Sequence, residues 1–598
     1  MKISDIMKQL YNKLNNLPEW TFIIIYVFSV LLYCILIGLQ GFDMTDEGWA
    51  STGFSQIYND ASTISGIFTI YNTLLVGGLF HLLLPSLGII AFRIASALCL
   101  TAIAYIVYGL LKDVINRWYI FLGVGICIVN LRFIRVLHYD YTSALLVLII
   151  ALLIYQACIQ RKTYKMLIAG ILVGISFFFR LPNVCLCGMI AALIPFFLYT
   201  RSAKQTFTFL GYAVLGVIIG ICVNVGLIYL LHHQEPFYDM LNIATSYLTQ
   251  SDSTHNSAGM LNKYLLQIRD ISLHAAVFLA FPLISVYLHK QETIKWLSIT
   301  LQIILVSLFV WTFGGPWKNT ISIFAFCTLA LGYNVLSYYE NEQKTYLSLL
   351  ALLIMILLPL GSDGGILNVG SNAMYLALPL SIGVIFGHDT NISDKQYFSS
   401  YRKYSTVFLI YTIIIVLSAT YMGACRDTGS RLLKTYRPTQ TIIPTTYTTR
   451  EKAAQIDSLF VHLQPHLTNN TYLLAYPSIP AINYLATAKP YLTQPWIGIM
   501  DLNTYQIAFD NAQKEKPLPI IVVSKSNGEE WTSVNKNWNS ILDCWDWHPS
   551  IKEKNEYLLC FIQENNYLVE WEDNCFQLLI PPTTSSSTSK KNYMQSEK

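Results

Sequence analysis

Between residues 19 and 423 the sequence returns repeatedly to apolar runs about 20 residues long, the length that crosses a lipid bilayer as a helix, and beyond residue 423 such runs stop. That repetition decides the fold class before any motif is read. With 54% hydrophobic and only 12% charged residues, and a mean hydropathy of +0.45, the chain is too apolar for a water-soluble globular protein. The sequence predicts a polytopic α-helical membrane protein over residues 1–423, a soluble α/β domain over 424–580 and a Ser/Thr-rich polar tail, 581–598, expected to be disordered.

Thirteen spans are predicted: 19–40, 88–111, 119–137, 141–159, 166–180, 184–200, 207–231, 272–289, 296–313, 319–338, 345–360, 372–387 and 406–423. The first follows a mildly basic leader, is too long for a signal-peptide core and lacks a small-residue cleavage site, so it is expected to be retained. With the N-terminus in the cytoplasm, sixteen Lys and Arg fall on the inner side, against six on the outer side: Arg132, Arg135, Arg180, Lys263, Arg269 and Lys318. The positive-inside rule favours that orientation and places the C-terminal domain outside an inner or plasma membrane. One more run, Ile67 to Pro85, is also long enough to span, but counting it would turn the basic loops 161–165 and 395–403 outward. It is therefore read as re-entrant or interfacial. Before it, Phe54, Ile57, Tyr58, Ala61 and Ile64 recur at helical spacing, which suits either a helix lying on the membrane surface or an ordinary helical connector.

The net charge of +4 is spread along the chain and makes no case for nucleic acid. Eight of the twelve cysteines lie in apolar helices, where they read as small buried side chains. Cys425, Cys544, Cys560 and Cys575 fall in the C-terminal domain, where an oxidising compartment would allow one or two disulfides of unassigned pairing.

With this threading the polar turns gather on one face. Gly41-Phe-Asp-Met-Thr-Asp-Glu-Gly-Trp-Ala-Ser51 leaves the first span with Asp43, Asp46 and Glu47 and no basic residue. His138-Tyr-Asp-Tyr-Thr-Ser143 holds Asp140 at the membrane boundary between spans three and four. Arg180-Leu-Pro-Asn183 ends one span with a cation and breaks the backbone at Pro182 before the next. Phe313-Gly-Gly-Pro-Trp-Lys318 brings Lys318 and an indole to the same level, and the glycine-rich Gly361-Ser-Asp-Gly-Gly365 brings Asp363. Basic groups that hold a phosphate, beside a carboxylate that takes a proton from an attacking hydroxyl, suit displacement of a sugar from a polyprenyl phosphate. On this reading Asp46 is the base with Glu47 beside it, His138, Asp140, Arg180, Lys318 and Asp363 contact substrate, and Asp43 is a bystander.

The acidic pair after the first span, the Asp between spans three and four and the basic-x-Pro element between five and six together resemble the GT-C membrane glycosyltransferases. The similarity is strongest to the protein O-mannosyltransferase and lipid A aminoarabinose transferase group, and covers the whole architecture. By position it carries onto Asp46 and Glu47, Asp140, and Arg180 with Pro182. It implies a polyprenyl-phosphate sugar as donor, an acceptor that is a protein, glycan or lipid, and the first-loop Asp as general base. Two departures, Arg180 in place of Lys and Gly48-Trp49 in place of an Arg-Tyr stretch, leave the sugar and acceptor open. Members of the superfamily differ in needing a metal; here Asp46, Glu47 and Asp140 would be the oxygen ligands for Mg2+ or Mn2+. Two other classes were weighed. A transporter or flippase of lipid-linked sugars would use mid-membrane polar groups, for which Arg93 and Asn224 are the candidates. A polysaccharide polymerase or ligase would place its chemistry in the loop from His232 to Asp270.

In the C-terminal domain, 471–476 and 518–524 read as buried strands, 480–488 as a short helix, and 558–562 with 567–570 as a hairpin turning at Glu564-Asn-Asn566.

Overall fold

The computed structural model describes residues 16–131, 134–249, 256–290, 295–314, 318–337, 341–387, 395–423, 426–527 and 530–582. The membrane part begins with α1 (Glu19–Gly38), α2 (Asp46–Gln56) and α3 (Tyr71–Leu83), then α4 (Ile89–Leu111), α5 (Arg117–Asn130), α6 (Tyr139–Gln160) and α7 (Thr163–Ser176). A 3-10 stretch, Leu181–Ala192, runs into α8 (Leu193–Thr200), followed by α9 (Ala203–Leu230), α10 (Gln234–Thr249), α11 (Ser257–Lys290) and α12 (Lys295–Thr312). The part closes with α13 (Asn319–Leu336), α14 (Glu342–Leu357), α15 (Ile366–Ala373), α16 (Ala377–Phe386) and α17 (Lys395–Met422).

Among the described residues nine helices are long and apolar enough to cross a membrane, or ten if α15 and α16, bent by 65°, form one span. The chain is thus a multi-pass, mostly helical protein of the membrane type. Every one of the thirteen predicted segments overlaps a helix, but α5 and α7 have only 14 residues each. At 1.5 Å per residue they rise about 21 Å, short of a hydrocarbon core of about 30 Å. Small residues let α7 and α9 approach closely. The Gly170-x-x-x-Gly174 face meets Gly216-x-x-x-Gly220, and a Cβ at Gly174 would stand 2.3 Å from the Val217 carbonyl oxygen.

The stretch Ala61–Leu83 passes the same length test, yet both its flanks meet the C-terminal region. Gly66 N–H donates to Thr493 O at 3.0 Å, and Ile89 N–H donates to Pro444 O at 3.2 Å. Both flanks of this candidate span thus contact the same C-terminal region. The apolar stripe before it does not lie on lipid: Phe54, Ile57 and Ile64 are buried inside the protein, with the Phe54 ring 4.8 Å from Phe92. Periodicity identified the apolar face correctly, but α3 covers it, with Gly77 against Phe54 and Gly78 against Ile57.

The other predicted outer turns lie on that same side. Asp46 faces Arg135, Arg180 bonds the Leu358 carbonyl, Gln267 bonds Gly364, and Ser246 of α10 meets Thr504 of the domain. At the opposite ends, Lys112 pairs with Glu19 at 2.9 Å and Arg402 donates to the carbonyls of Ile385 and Gly387.

The C-terminal domain adds α18 (Arg450–Leu463), β1 (Tyr472–Tyr476), α19 (Ala481–Leu485), β2 (Lys489–Pro490), α20 (Leu502–Glu515), β3 (Ile520–Ser524), α21 (Ile551–Glu564), β4 (Leu568–Glu572) and β5 (Phe576–Ile580). Its sheet runs β2-β1-β3-β5-β4, with β1 parallel to β2 and β3, and β5 antiparallel to β3 and β4. The predicted strands become β1 and β3, and the short helix becomes α19. The hairpin is displaced, because residues 558–562 belong to α21, whose buried Leu558, Phe561 and Ile562 follow helical spacing. Asn566, at φ +54°, is a left-handed helix stop rather than a hairpin turn, and the hairpin turns instead at Asp573, which accepts from the N–H groups of Cys575 and Phe576. Cys544, Cys560 and Cys575 are free thiols; Cys425, Trp317, Arg132 and all but the first two residues of the predicted tail lie outside the described residues.

Asp427 locks the domain to the first loop. Fully buried, it accepts from Lys434 at 2.8 Å and Lys452 at 2.9 Å, and from the Phe42 N–H at 2.8 Å. Burial alone would raise its carboxyl, but Lys452 and Lys434 outweigh burial and hold it below the ordinary aspartate range. The lock is therefore complete above the unfolded value of about 3.9 and is lost only as pH falls through the lower folded value. Asp427→Asn leaves the buried Lys434 without its carboxylate, while Lys452 keeps Glu530, and is expected to destabilise the docked domain by about 3 kcal/mol at pH 7. Limited proteolysis should release the domain sooner in this variant at pH 7, and in the wild type only below about pH 4.

Candidate functional site

The first outer loop leaves α1 as an extended stretch stitched to the C-terminal domain. Gly41 N–H donates to Tyr447 O at 2.8 Å, and Ala481 N–H donates to Met44 O at 3.0 Å. Gly48 is required by this closeness, since a Cβ there would stand 2.2 Å from the Ala481 nitrogen. The chain then enters α2 with Asp46 and Glu47 in its first turn, where the helix dipole favours negative charge.

The two adjacent carboxylates have opposite environments. Glu47 is 1% exposed and takes both donors of the Arg93 fork, at 2.9 Å and 2.5 Å, together with the Val136 N–H at 2.9 Å. Arg93 sits in the second turn of α4 and also donates to the carbonyls of Gly38, Gln40 and Gly41. This pair pins the loop to α4 and leaves Glu47 no freedom to reach a substrate. Asp46, 22% exposed, lies between Arg135 at 3.6 Å and Arg426 at 3.8 Å.

A second group adjoins the first. His138 caps α6 and is 3.4 Å from Arg135, and its Nδ1 lies 3.3 Å from Asp140 Oδ2. The other oxygen of Asp140 faces Arg180 Nε at 3.9 Å and makes no hydrogen bond among the described residues. Arg180 also donates to Leu358 O at 2.7 Å and stands 6.0 Å from the centre of the Tyr139 ring. Asp46, Arg135, His138, Asp140 and Arg180 thus form one continuous chain of polar side chains, with Arg426 at its open end.

Of the residues expected to act together, Asp46, His138, Asp140 and Arg180 converge. Asp363 belongs to a loop resting on the same element, where a Cβ at Gly361 would stand 2.4 Å from Pro182 Cβ, but its carboxylate turns to its own Gly364 N–H. Lys318 is exposed at the start of α13 and forms no ion pair with a described residue. Arg135 and Arg426 are the residues of the cluster that sequence reading did not assign to the site; Arg426 is the one contributed by distant chain. It follows the last span directly, in Cys425-Arg-Asp-Thr-Gly429, and a cation just past a span was the available signal.

The cations set the charge states. Burial would raise the Asp46 carboxyl, but Arg426, Arg135 and His138 outweigh it and hold it below the usual range. Asp43 moves oppositely: burial, with the like charges of Asp46 and Glu47, pushes it up to about 6 against the pull of Arg426. Asp43 is no distant bystander, therefore, but its Oδ1 is held by Thr45 and the side chain is buried. The charged carboxylate within reach of a ligand is Asp46.

As a divalent-metal site the arrangement fits poorly, because Asp46, Glu47 and Asp140 each face a basic partner. Among the described residues no three His, Cys, Asp or Glu side chains converge as a ligand set. The polar candidates for a transport path are also accounted for within the protein: Arg93 pairs with Glu47, and Asn224 accepts from Asn72 at 2.7 Å. No protein-family model matches the chain, and no curated protein matches it.

Proposed function

We propose that this protein is a GT-C-type glycosyltransferase with thirteen spans, its chemistry on the non-cytoplasmic face, moving a sugar from a polyprenyl phosphate to an acceptor hydroxyl. The observation that carries this reading is the reachable Asp46 carboxylate set between two arginines, beside the Asp140–Arg180 pair. The mutual contacts of the turns at Asp46, His138, Arg180 and Gly361 support the thirteen-span threading, and the excess of inner Lys and Arg supports its orientation.

In the reaction, the acceptor oxygen bonds to the anomeric carbon as the bond from that carbon to the phosphate oxygen breaks. The electron pair leaves with polyprenyl phosphate, the acceptor proton passes to Asp46, and attack from the opposite face inverts the anomeric centre. Arg135, Arg426 and Arg180 neutralise the growing phosphate charge. Their dual use answers the weakness of a carboxylate whose basicity they depress: once the donor phosphate occupies Arg135 and Arg426, their pull on Asp46 eases and its proton affinity rises. No step runs through a metal.

The test is the purified protein in lipid vesicles with sugar-loaded polyprenyl phosphates. Release of polyprenyl phosphate is expected with one donor class, and movement of the intact lipid-linked sugar without bond cleavage would overturn the reading in favour of a flippase. Arg135→Gln and Arg426→Gln, at positions 19% and 22% exposed, should each weaken polyprenyl phosphate binding. Loss of a charged hydrogen bond worth about 1.5–3 kcal/mol corresponds to roughly 10–150-fold in Kd.

A further inference from the structure

A cleft of about 210 Å³ lies inside the membrane part, between α7, α9 and the segment that joins them. Met166, Val173, Leu186, Met189, Leu193 and Leu210 line it, and it opens sideways past the exposed Cys187 and Val214. Small residues create the space. α7 and α9 run parallel, with Gly170 against the Ala213 carbonyl and Gly174 against that of Val217. Ala169, Gly170 and Ala213 let the two backbones touch but have no side chain long enough to fill the gap beside the seam. An unfilled space forfeits the dispersion contacts of the atoms around it. No charged, amide or hydroxyl side chain lines this one, so hydrocarbon fits it and water does not.

The rim of the cleft on the side away from the C-terminal domain is basic. Lys165 adjoins Met166, Lys162 lies one turn earlier, and Lys204 precedes Leu210 by about 9 Å of helix. Continued toward the helix starts, the pairing of Gly170 with Ala213 sets Thr163 level with Thr206, which brings the Lys162 and Lys204 turns together. Arg201 follows α8, whose Leu193 lines the cleft. Arg161, Lys162, Arg201 and Lys204 are exposed, and Lys165 donates to the neutral Gln156 and Gln160. Among the described residues none of these cations forms an ion pair. Glu342 stands at this end too, because Tyr346 one turn above it packs on Tyr199, yet no ion pair joins it to any of them.

From the dry cleft and the cations at its rim we infer that this site holds one anionic phospholipid, with an acyl chain in the cleft and the phosphate among Lys162, Lys165, Arg201 and Lys204. The assignment is independent of the transferase reading. Charge complementarity selects the occupant: a zwitterionic lipid has the same chains but brings a cation of its own to a rim that already lacks anions. Long Lys and Arg side chains reach from apolar surface to headgroup level, and basic pockets between spans suit anionic headgroups. The polyprenyl chain of the donor fits less well, because its phosphate belongs at Arg180, past the opposite end of α7, and would leave the basic rim unanswered. A chain in the cleft also braces Leu181–Ala192, the 3-10 stretch that begins next to Arg180.

The test places the full chain in phosphatidylcholine vesicles that hold a small fraction of phosphatidylglycerol with a photoreactive diazirine in one acyl chain. Crosslinks located by peptide mass spectrometry should concentrate on residues 166–173, 186–193 and 210–217, and should fall about 5-fold or more when phosphatidylcholine carries the same label. Lys162→Gln and Lys204→Gln should each lower the labelling about 5-fold, the contribution of one cation beside an anionic headgroup, with thermal unfolding in lipid-free detergent unchanged. Val214→Trp narrows the mouth and should lower it without altering the charges. Labelling that is indifferent to headgroup, unaffected by both lysine variants, or spread evenly over exposed helix faces would overturn the site. Competition by polyprenyl phosphate but not by unlabelled phosphatidylglycerol would also overturn it, and would assign the cleft to the donor's chain.

Discussion

Asp46→Asn should lower turnover by about 10²–10⁴-fold, the usual contribution of a positioned general base, while the protein folds and inserts as before. Its tolerance follows from geometry. The Asp46 contacts with Arg135 and Arg426 are long, at 3.6 Å and 3.8 Å, and all three side chains keep contact with solvent. Contacts of that length bind less tightly than the bidentate buried Glu47–Arg93 pair, so neutralising this carboxylate costs less stability than breaking that one. Donor binding should hold or tighten, since the two cations are freed for phosphate. The loss should therefore fall on kcat rather than on Kd for polyprenyl phosphate, a split that a folding defect would not produce. In the wild type, kcat/KM should stay level on the acid side down to about pH 4, because the free-enzyme carboxylate is held below the ordinary range. A rate that falls with a midpoint near 6 would point to Asp43 as the base instead.

Several members of the candidate cluster were legible in the sequence because they lie in the short turns between apolar runs. Apolar run length and the imbalance of Lys and Arg fix which turns share a face, and short turns such as 138–143 leave their side chains little room to wander. That brought Asp46, Asp140 and Arg180 together before any coordinates. Partners contributed by distant chain were not legible. Arg426 reaches Asp46 only because the C-terminal domain folds back onto the first loop, through contacts such as Ala481 on Met44. Phe54 and Ile57, whose spacing alone suggested a lipid-facing helix, are buried instead by α3 and α4, through Gly77, Gly78 and Phe92. The misplaced hairpin has a more local cause: Asn565-Asn566 carries a turn signal that serves a helix stop and a β-turn alike, and only the inward spacing of Leu558, Phe561 and Ile562 separates the two.

Glu47 shows how far neighbouring carboxylates can differ, and Glu47→Gln is expected to act on stability where Asp46→Asn acts on rate. The Arg93–Glu47 pair is 5% and 1% exposed, so removing the charge from one partner strands a guanidinium in the protein interior. Breaking a buried pair in this way costs about 3–5 kcal/mol. The Gln amide keeps the shape and can still accept one hydrogen bond, which places the substitution at the lower end of that range, with Glu47→Ala at the upper. Thermal unfolding in detergent should drop accordingly, and the first loop should become accessible to protease between Gly38 and Asp46. The fraction that remains folded should transfer sugar with a kcat within a few-fold of wild type. A catalytic Glu47 predicts the reverse, a stable protein with little turnover, so one pair of measurements on one variant separates the two roles. Arg93→Met supplies the complementary arm. It strands Glu47 and leaves the carbonyls of Gly38, Gln40 and Gly41 without their shared donor, so it should destabilise at least as much, although Arg93 has no contact with Asp46 through which to alter the chemistry directly.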